Sequence, residues 1–99
     1  MALSEKQKKY LRRLAHPLNP IVMLGQSGLT DNIVKETDRA LNDHELIKVS
    51  ARVGDRHTRD AAFASLTRQT ASELVQRIGN VGVLYRRCGG LPKVVLPDH

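Results

Sequence analysis

Aromatic side chains are scarce in this sequence, which has no tryptophan, two tyrosines and one phenylalanine among its 99 residues. Sheet proteins that bind single-stranded nucleic acid commonly stack successive bases on exposed aromatic rings. With Phe63 expected in the core, only Tyr10 and Tyr85 remain, so an exposed platform that stacks several bases is excluded. If the protein binds nucleic acid, we expect it to contact mainly the backbone and the shape of its partner.

The sequence also has a single cysteine and no long apolar run. Cys88 cannot form a disulfide within the chain, and no segment approaches the roughly 20 apolar residues that a membrane helix needs. None of the four histidines has a cysteine or a second histidine at the spacing of metal ligands. No nucleophile, base or carboxylate pair forms a catalytic pattern. We therefore expect a cytoplasmic protein that is not an enzyme, holds no metal or cofactor and does not associate with membranes.

Positive charge is abundant and unevenly distributed. Lysine and arginine number 16 against 10 aspartate and glutamate residues, which gives a net charge of +6. Residues 1–28 contain five basic and one acidic side chain, residues 29–45 two and five, and residues 46–99 nine and four. An excess of this kind is typical of proteins that bind polyanions. Its uneven distribution predicts that the positive charge lies on particular faces.

The central motif is a Gly-x-x-Gly loop that follows the apolar run of residues 21–24 and precedes a helix capped by Thr30. The loop consists of Gly25, Gln26, Ser27 and Gly28. Glycine lets a backbone lie close to another backbone, and the free N–H groups of a helix N-terminus attract phosphate. Spacing alone favours an ordinary strand-to-helix turn, in which the glycines only satisfy the backbone geometry. Because of the surrounding positive charge, we interpret the loop as an anion-binding corner.

The first helix is predicted over residues 5–15, with Ser4 and Gln7 forming a capping box. Its apolar arc consists of Gln7, Tyr10, Leu11, Leu14 and Ala15. Its cationic arc consists of Lys6, Lys8, Lys9, Arg12 and Arg13. Many charged helix faces are only solvated, but here no carboxylate is interleaved at i+4 to neutralise the five cations. The cationic arc is therefore a candidate binding face.

The remaining pattern alternates strands and helices. The unbroken apolar run at 21–24 predicts a strand buried on both faces, and residues 46–53 alternate as a strand with one polar face. The other predicted elements are helices over 31–41 and 58–72, a turn at 42–44, a hairpin of strands 75–78 and 81–86 around Gly79-Asn80, and an irregular tail over 88–99 in which 94–96 could add an edge strand. The order α-β-α-β-α-β-β predicts a single α/β domain with a mixed four-stranded sheet packed with helices.

Four motifs connect this pattern to a known family. They are Leu14-Ala15-His16-Pro17-Leu18, Leu24-Gly25-Gln26-Ser27-Gly28-Leu29-Thr30, His44-Glu45-Leu46-Ile47-Lys48-Val49, and Ile78-Gly79 followed by Val83-Leu84-Tyr85-Arg86. In this order they resemble the bacterial stand-alone CRM domain (chloroplast RNA splicing and ribosome maturation), the YhbY-like group of RNA-binding proteins. The resemblance covers about residues 3–87 and implies a fold similar to the C-terminal domain of translation initiation factor three.

The resemblance also implies a function. It assigns RNA contact to the Gly-x-x-Gly loop and nearby basic residues, and bacterial stand-alone members are associated with precursors of the large ribosomal subunit. The candidate RNA-binding residues are Gly25, Gln26, Ser27, Gly28, Lys6, Lys9, Arg12 and Arg13. We expect a monomer that binds ribosomal RNA and assists ribosome assembly. Two alternatives remain open: a domain for a small phosphorylated ligand, and a basic module that binds an acidic protein.

Overall fold

The computed structural model describes residues 3–87 and 94–97, and these ranges contain three helices and four strands. The elements are α1 (Glu5–Ala15), β1 (Pro20–Leu24), α2 (Asp31–His44), β2 (Leu46–Ala51), α3 (Arg56–Thr70), β3 (Glu73–Ile78) and β4 (Val81–Tyr85). The predicted order and the predicted α/β class are confirmed. The bounds of α1 agree with the prediction because the capping box and the following His16-Pro17 are local signals.

The four strands form one mixed sheet in the order β1-β2-β4-β3. β1 runs parallel to β2, and the other two pairs are antiparallel. At one end of the sheet, the Arg52 N–H donates to the Leu24 carbonyl at 2.9 Å and the Ala51 N–H donates to the Asn80 carbonyl at 2.7 Å. The Gly-x-x-Gly loop, the β2–α3 connection and the β3–β4 turn therefore meet at this end of the sheet.

Helices cover both faces of the sheet, so the domain has two hydrophobic clusters. α2 and α3 pack on one face over Val22, Val49, Phe63 and other buried side chains. α1 packs on the opposite face, mainly against β2 and β3, where Leu11 and Ala15 meet a second cluster. The second cluster consists of Leu3, Leu11, Ala15, Leu46, Val75, Val83 and Tyr85. The result is a sheet whose second face is covered at one end only.

β1 differs from the prediction of burial on both faces. Val22 and Leu24 are buried, but Ile21 is 50% and Met23 is 55% exposed. The reason is position: β1 is an edge strand, and α1 lies over the other strands of the sheet. The predicted polar face of β2 is also wrong in part, because Ser50 is buried, with only 4% of its surface exposed.

Several element boundaries differ as well. Residues 42–44 are the last turn of α2 instead of a turn of their own, and Glu45 caps the end of the helix with a φ of 64°. α3 begins two residues earlier than predicted because the Asp55 side chain caps it by accepting from the Thr58 N–H at 2.8 Å. It also ends two residues earlier, at Thr70, and is followed by Ala71 with a φ of 52°. β2 ends at 51, β3 begins at 73 and β4 ends at 85. Residues 94–96 form no strand; Val94 and Leu96 pack on the α1 side of the sheet.

The extra turn of α2 is held by Arg86, which follows β4. Its guanidinium donates to the Asp38 carbonyl at 3.0 Å and to Asn42 Oδ1 at 2.8 Å, and it pairs with the Asp38 carboxylate. A further bond reaches the Thr70 carbonyl at 2.8 Å. One side chain thus ties the ends of α2 and α3 to the sheet. Arg86 and Asn42 are 44 residues apart in the sequence.

Candidate nucleic-acid interface

The Gly-x-x-Gly loop is an exposed, closed turn. The Gly28 N–H donates to the Gly25 carbonyl at 2.9 Å, and Gly28 has a φ of 72°, in the left-handed region that favours glycine. A Cβ placed on Gly25 would meet no other atom within 4 Å. Gln26 and Ser27 are both exposed. The space around Gly25 is therefore open to an approaching molecule.

The N-terminus of α2, which follows the loop, attracts anions only weakly. Thr30 caps α2, and its hydroxyl accepts from the Ile33 N–H at 3.2 Å. Asp31 lies in the first turn of the helix, where its carboxylate offsets part of the positive end of the helix dipole. A phosphate at this corner would consequently need cations from elsewhere on the surface.

α1 carries the predicted cations. Leu11 and Ala15 are buried against the sheet, and the capping box is present as predicted: Ser4 Oγ accepts from the Gln7 N–H at 3.1 Å, and Gln7 Oε1 accepts from the Ser4 N–H at 3.0 Å. Fixing Leu11 and Ala15 inward turns Lys6, Lys9 and Arg13 to the outside, where all three are exposed.

Two expectations for α1 need correction. Glu5 pairs with Arg12 at 3.5 Å, so a carboxylate does face the cationic arc, at a spacing of seven residues that the i+4 count does not include. Leu14, assigned to the apolar arc, is 38% exposed, because only the part of the helix around Leu11 and Ala15 meets the sheet. The other cations of the arc form no ion pair with a described residue, so they are the stronger candidates for a bound anion.

A groove of about 590 Å³ lies between α1 and the part of the sheet that α1 leaves uncovered. We call it the α1 groove. It is lined by Lys9, Arg12, Arg13, Ala15, His16, Pro20, Lys48, Gln76, Ile78, Val81 and Val83. Its basic side chains stand mostly on the α1 wall, and Lys48 stands on β2, where Nζ donates to the His16 carbonyl at 3.3 Å. Three of the four predicted α1 residues meet here, and Lys6 is not among the lining residues.

The α1 groove and the Gly-x-x-Gly loop are connected by β1. Pro20, at the start of the strand, lines the groove, and Gly25 follows its end. At about 3.3 Å per residue the two lie roughly 16 Å apart. Met23 pairs with Ser50 on the α1 side of the sheet, so exposed Ile21 and Met23 border the path between the two regions. The exposed side of β1 therefore links the loop to the groove that Lys9, Arg12 and Arg13 line, and Lys6 lies outside that groove.

Sequence reasoning did not identify Lys48 and Gln76 as site residues. Lys48 lies on β2 and Gln76 lies on β3, and both pair with Val83 of β4. Both side chains are therefore on the face of the sheet that carries α1. The alternation of residues 46–53 places Lys48 only on a polar strand face. The available signal is that Lys48 is the one charged residue among residues 46–51. Its position beside the end of α1 depends on tertiary packing, which the sequence pattern does not give.

A second basic cluster lies at the loop end of the sheet. Arg56, Arg59 and Arg77 line a cavity of about 360 Å³ beside Gly79. Two of these three side chains have partners within the protein: Arg59 donates to the Gly54 carbonyl at 3.1 Å, and Arg77 pairs with Asp60 and lies over the Phe63 ring at 5.3 Å. Hydrogen bonds from Thr58 lower the pKa of Asp55, which keeps this capping carboxylate ionised beside the cluster. The cluster is thus more neutralised than the α1 groove.

Other site classes find little support in the described residues. No group of three or more histidine, cysteine, aspartate or glutamate side chains within 3–87 and 94–97 could hold a metal ion. Across the same ranges, no helix is long and apolar enough to cross a membrane. Cys88 and most of the predicted tail lie outside the described residues.

Comparison with known proteins gives one consistent family. Residues 3–86 match the CRS1 / YhbY (CRM) domain. The chain is 50% identical over 84 residues to a Haemophilus influenzae protein named as an RNA-binding protein, covering 85% of each chain. It is 42% identical over 87 residues to a Pseudomonas aeruginosa protein named as a probable RNA-binding protein, covering 88% of this chain and 84% of the other. The solution structure of a hypothetical protein from Staphylococcus aureus has a TM-score of 0.83 at 38% identity, covering 97% of this chain and all of the other.

Proposed function

The chain belongs to the CRS1 / YhbY (CRM) domain family, and from that membership we propose that it is an RNA-binding protein that associates with ribosomal RNA or with precursors of the large ribosomal subunit. It assists ribosome assembly without catalysing a reaction, and it works in the cytoplasm as a monomer. The names of its relatives support RNA as the partner.

The observation that carries the proposal is the joined surface of the α1 groove and the Gly-x-x-Gly loop. In its cationic part, Lys9 and Arg13 are exposed, and Lys48 lines the same groove, where its Nζ donates to the His16 carbonyl. In its loop part, the backbone is accessible and carries no bulky side chain at Gly25. Phosphate groups would contact the cations, while the loop admits a nucleic-acid backbone at close range.

The proposal predicts a defined salt dependence. Neutralising about five phosphates gives a slope of log affinity against log salt of roughly −4. A small phosphorylated ligand, the first alternative, neutralises far fewer charges and would give a much shallower slope. An affinity for RNA that does not change with salt would contradict the proposal.

The decisive experiment is sucrose-gradient sedimentation of tagged protein from a cell lysate. The wild type is compared with a Gln26→Asp, Ser27→Asp double variant, which retains both glycines but adds two carboxylates that repel phosphate. The matched control is Lys35→Gln with Arg39→Gln, which makes the same net charge change on exposed positions of α2. We expect the wild type and the control to travel with large-subunit particles and the loop variant to remain at the top.

Other outcomes separate the alternatives. If all three proteins remain at the top, ribosome association is not the main role. If all three travel with the particles and nuclease treatment does not release them, the protein binds an acidic protein partner instead of RNA. If nuclease releases all three equally, RNA binding stands but the loop is not its contact.

A further inference from the structure

The floor of the α1 groove is apolar and open to solvent. Ile78 is 67% exposed, Pro20 is exposed, and Val81, opposite Ile78 on β4, is half-buried. Nearby on β1, Met23 is 55% exposed. Contiguous apolar surface bordered by polar residues usually marks a place where another molecule binds. The groove volume of about 590 Å³ lies within the range of roughly 300–1,000 Å³ that is typical of pockets for organic ligands.

The charges around this floor restrict the occupant. Among the described residues that line the groove there is no carboxylate, whereas Lys9, Arg13 and Lys48 each contribute a cation. The occupant should therefore combine negative charge with apolar faces. A double helix exposes phosphates and sugars and keeps its base faces stacked inside. An unpaired strand has a phosphate backbone and free base faces, so it matches both the walls and the floor.

Gln76 provides a polar group at the floor. Its side chain is half-buried and forms no hydrogen bond with any described residue, although its amide can donate and accept at once. Bases in unpaired RNA expose edges on which donors and acceptors lie side by side. The Gln76 amide is thus placed to pair with the edge of a base that lies against Ile78 and Val81.

We propose that the α1 groove binds an unpaired segment of RNA, with its bases against Ile78 and Val81, a base edge on Gln76, and its phosphates on Lys9, Arg13 and Lys48. This proposal rests on the proposed RNA-binding function and specifies which form of RNA the surface takes. The bases lie on aliphatic side chains, which explains how a protein with few aromatic rings can bind unpaired RNA.

The test uses fluorescence anisotropy with the whole chain and two labelled probes: a short RNA without self-complementarity, and the same strand annealed to its complement. The main variant is Ile78→Ser. The control is Leu74→Ser, which removes a side chain that is 38% exposed on the same strand but on the opposite face of the sheet. We expect Ile78→Ser to weaken binding of the single strand about fivefold or more, because apolar contact area is lost, and to change duplex binding less than about twofold.

A second variant tests the polar contact. Gln76→Ala should weaken single-strand binding several-fold without reducing the salt slope, since no charge is removed. Circular dichroism melting checks that each variant is folded; Ile78 is exposed, so its replacement should leave the core intact. As an independent measurement, photocrosslinking of a thiouridine-containing strand should modify the peptide that contains Ile78.

The outcomes separate this inference from the function on which it rests. If Ile78→Ser weakens strand and duplex equally, or weakens neither, or if the wild type prefers the duplex, the inference is overturned while RNA binding stands. If crosslinks fall only on the Gly-x-x-Gly loop, the inference is also overturned. If the wild type binds neither probe at low salt, the proposed function itself fails.

Discussion

Replacing the two loop glycines one at a time should separate the stability of the fold from contact with RNA. Gly28 has a φ of 72°, and a residue with a Cβ in the left-handed region costs roughly 1–2 kcal/mol. For a domain of this size we expect Gly28→Ala to lower the melting temperature by about 4–8 °C per kcal/mol. Gly25 has no positive φ, and a Cβ there would meet nothing within 4 Å. We therefore expect Gly25→Ala to change stability by less than about 0.5 kcal/mol.

Gly25→Ala should nevertheless reduce RNA affinity. If an RNA backbone lies against the loop, the added methyl group occupies the space that the RNA backbone uses. It then weakens a hydrogen bond from a loop N–H to a charged phosphate, which is worth about 1.5–3 kcal/mol. The expected loss is about tenfold or more. No cation is removed, so the salt slope should not change, whereas Lys9→Gln should make it shallower by about 0.7–0.9.

The assay is RNA titration by anisotropy at several salt concentrations, paired with thermal melting of the same preparations. The reasoning about the loop is refuted if Gly25→Ala binds RNA as tightly as the wild type at every salt concentration. It is refuted in a different way if Gly25→Ala is strongly destabilised, because the open space around that residue would then not exist.

Three further predictions concern the scaffold and the groove. Gly82→Ala places a Cβ 2.6 Å from Phe63 Cε1 and should cost about 1–3 kcal/mol in urea denaturation; wild-type stability would contradict this. The pKa of Asp55 is lowered in the folded protein, so its contribution to stability is present above the unfolded pKa of about 3.9 and is lost as pH falls through the folded pKa. The difference in unfolding free energy between wild type and Asp55→Asn should therefore change below about pH 4 and remain constant above it. Lys48→Gln should weaken RNA binding and make its salt slope shallower by about 0.7–0.9 while leaving the melting temperature unchanged.

The parts of the fold that depend on neighbouring residues could be predicted from the sequence. The start of α1 depends on Ser4 and Gln7, which lie three residues apart. The β3–β4 hairpin depends on Gly79-Asn80, and Gly79 has a φ of 60°. The helix cap at Thr30 and the loop glycines were identified for the same reason. In each case the determining contact lies within a few residues, where patterns of polarity and turn residues carry the information.

The parts that depend on distant contacts could not be predicted. α2 gains a turn because Arg86 bonds to Asp38 and Asn42 from beyond the last strand. The α1 groove exists because α1 covers one end of the sheet and leaves Ile78 exposed, and no periodicity in the sequence specifies where a helix lies on a sheet. The cationic residues of the site were therefore identified in part, and the apolar floor between them was not.

The segments on either side of the domain meet at the end of the sheet that is farthest from the Gly-x-x-Gly loop. The Leu3 N–H donates to Glu73 Oε2 at 3.4 Å, and the Pro97 carbonyl accepts from Gln7 Nε2 at 3.1 Å. Leu3 and Pro97, at the two ends of the described residues, therefore both lie away from the loop. Copies of the domain could therefore be linked in series, each with its loop free, and a tandem chain on one RNA would gain affinity through effective concentration without any new contact.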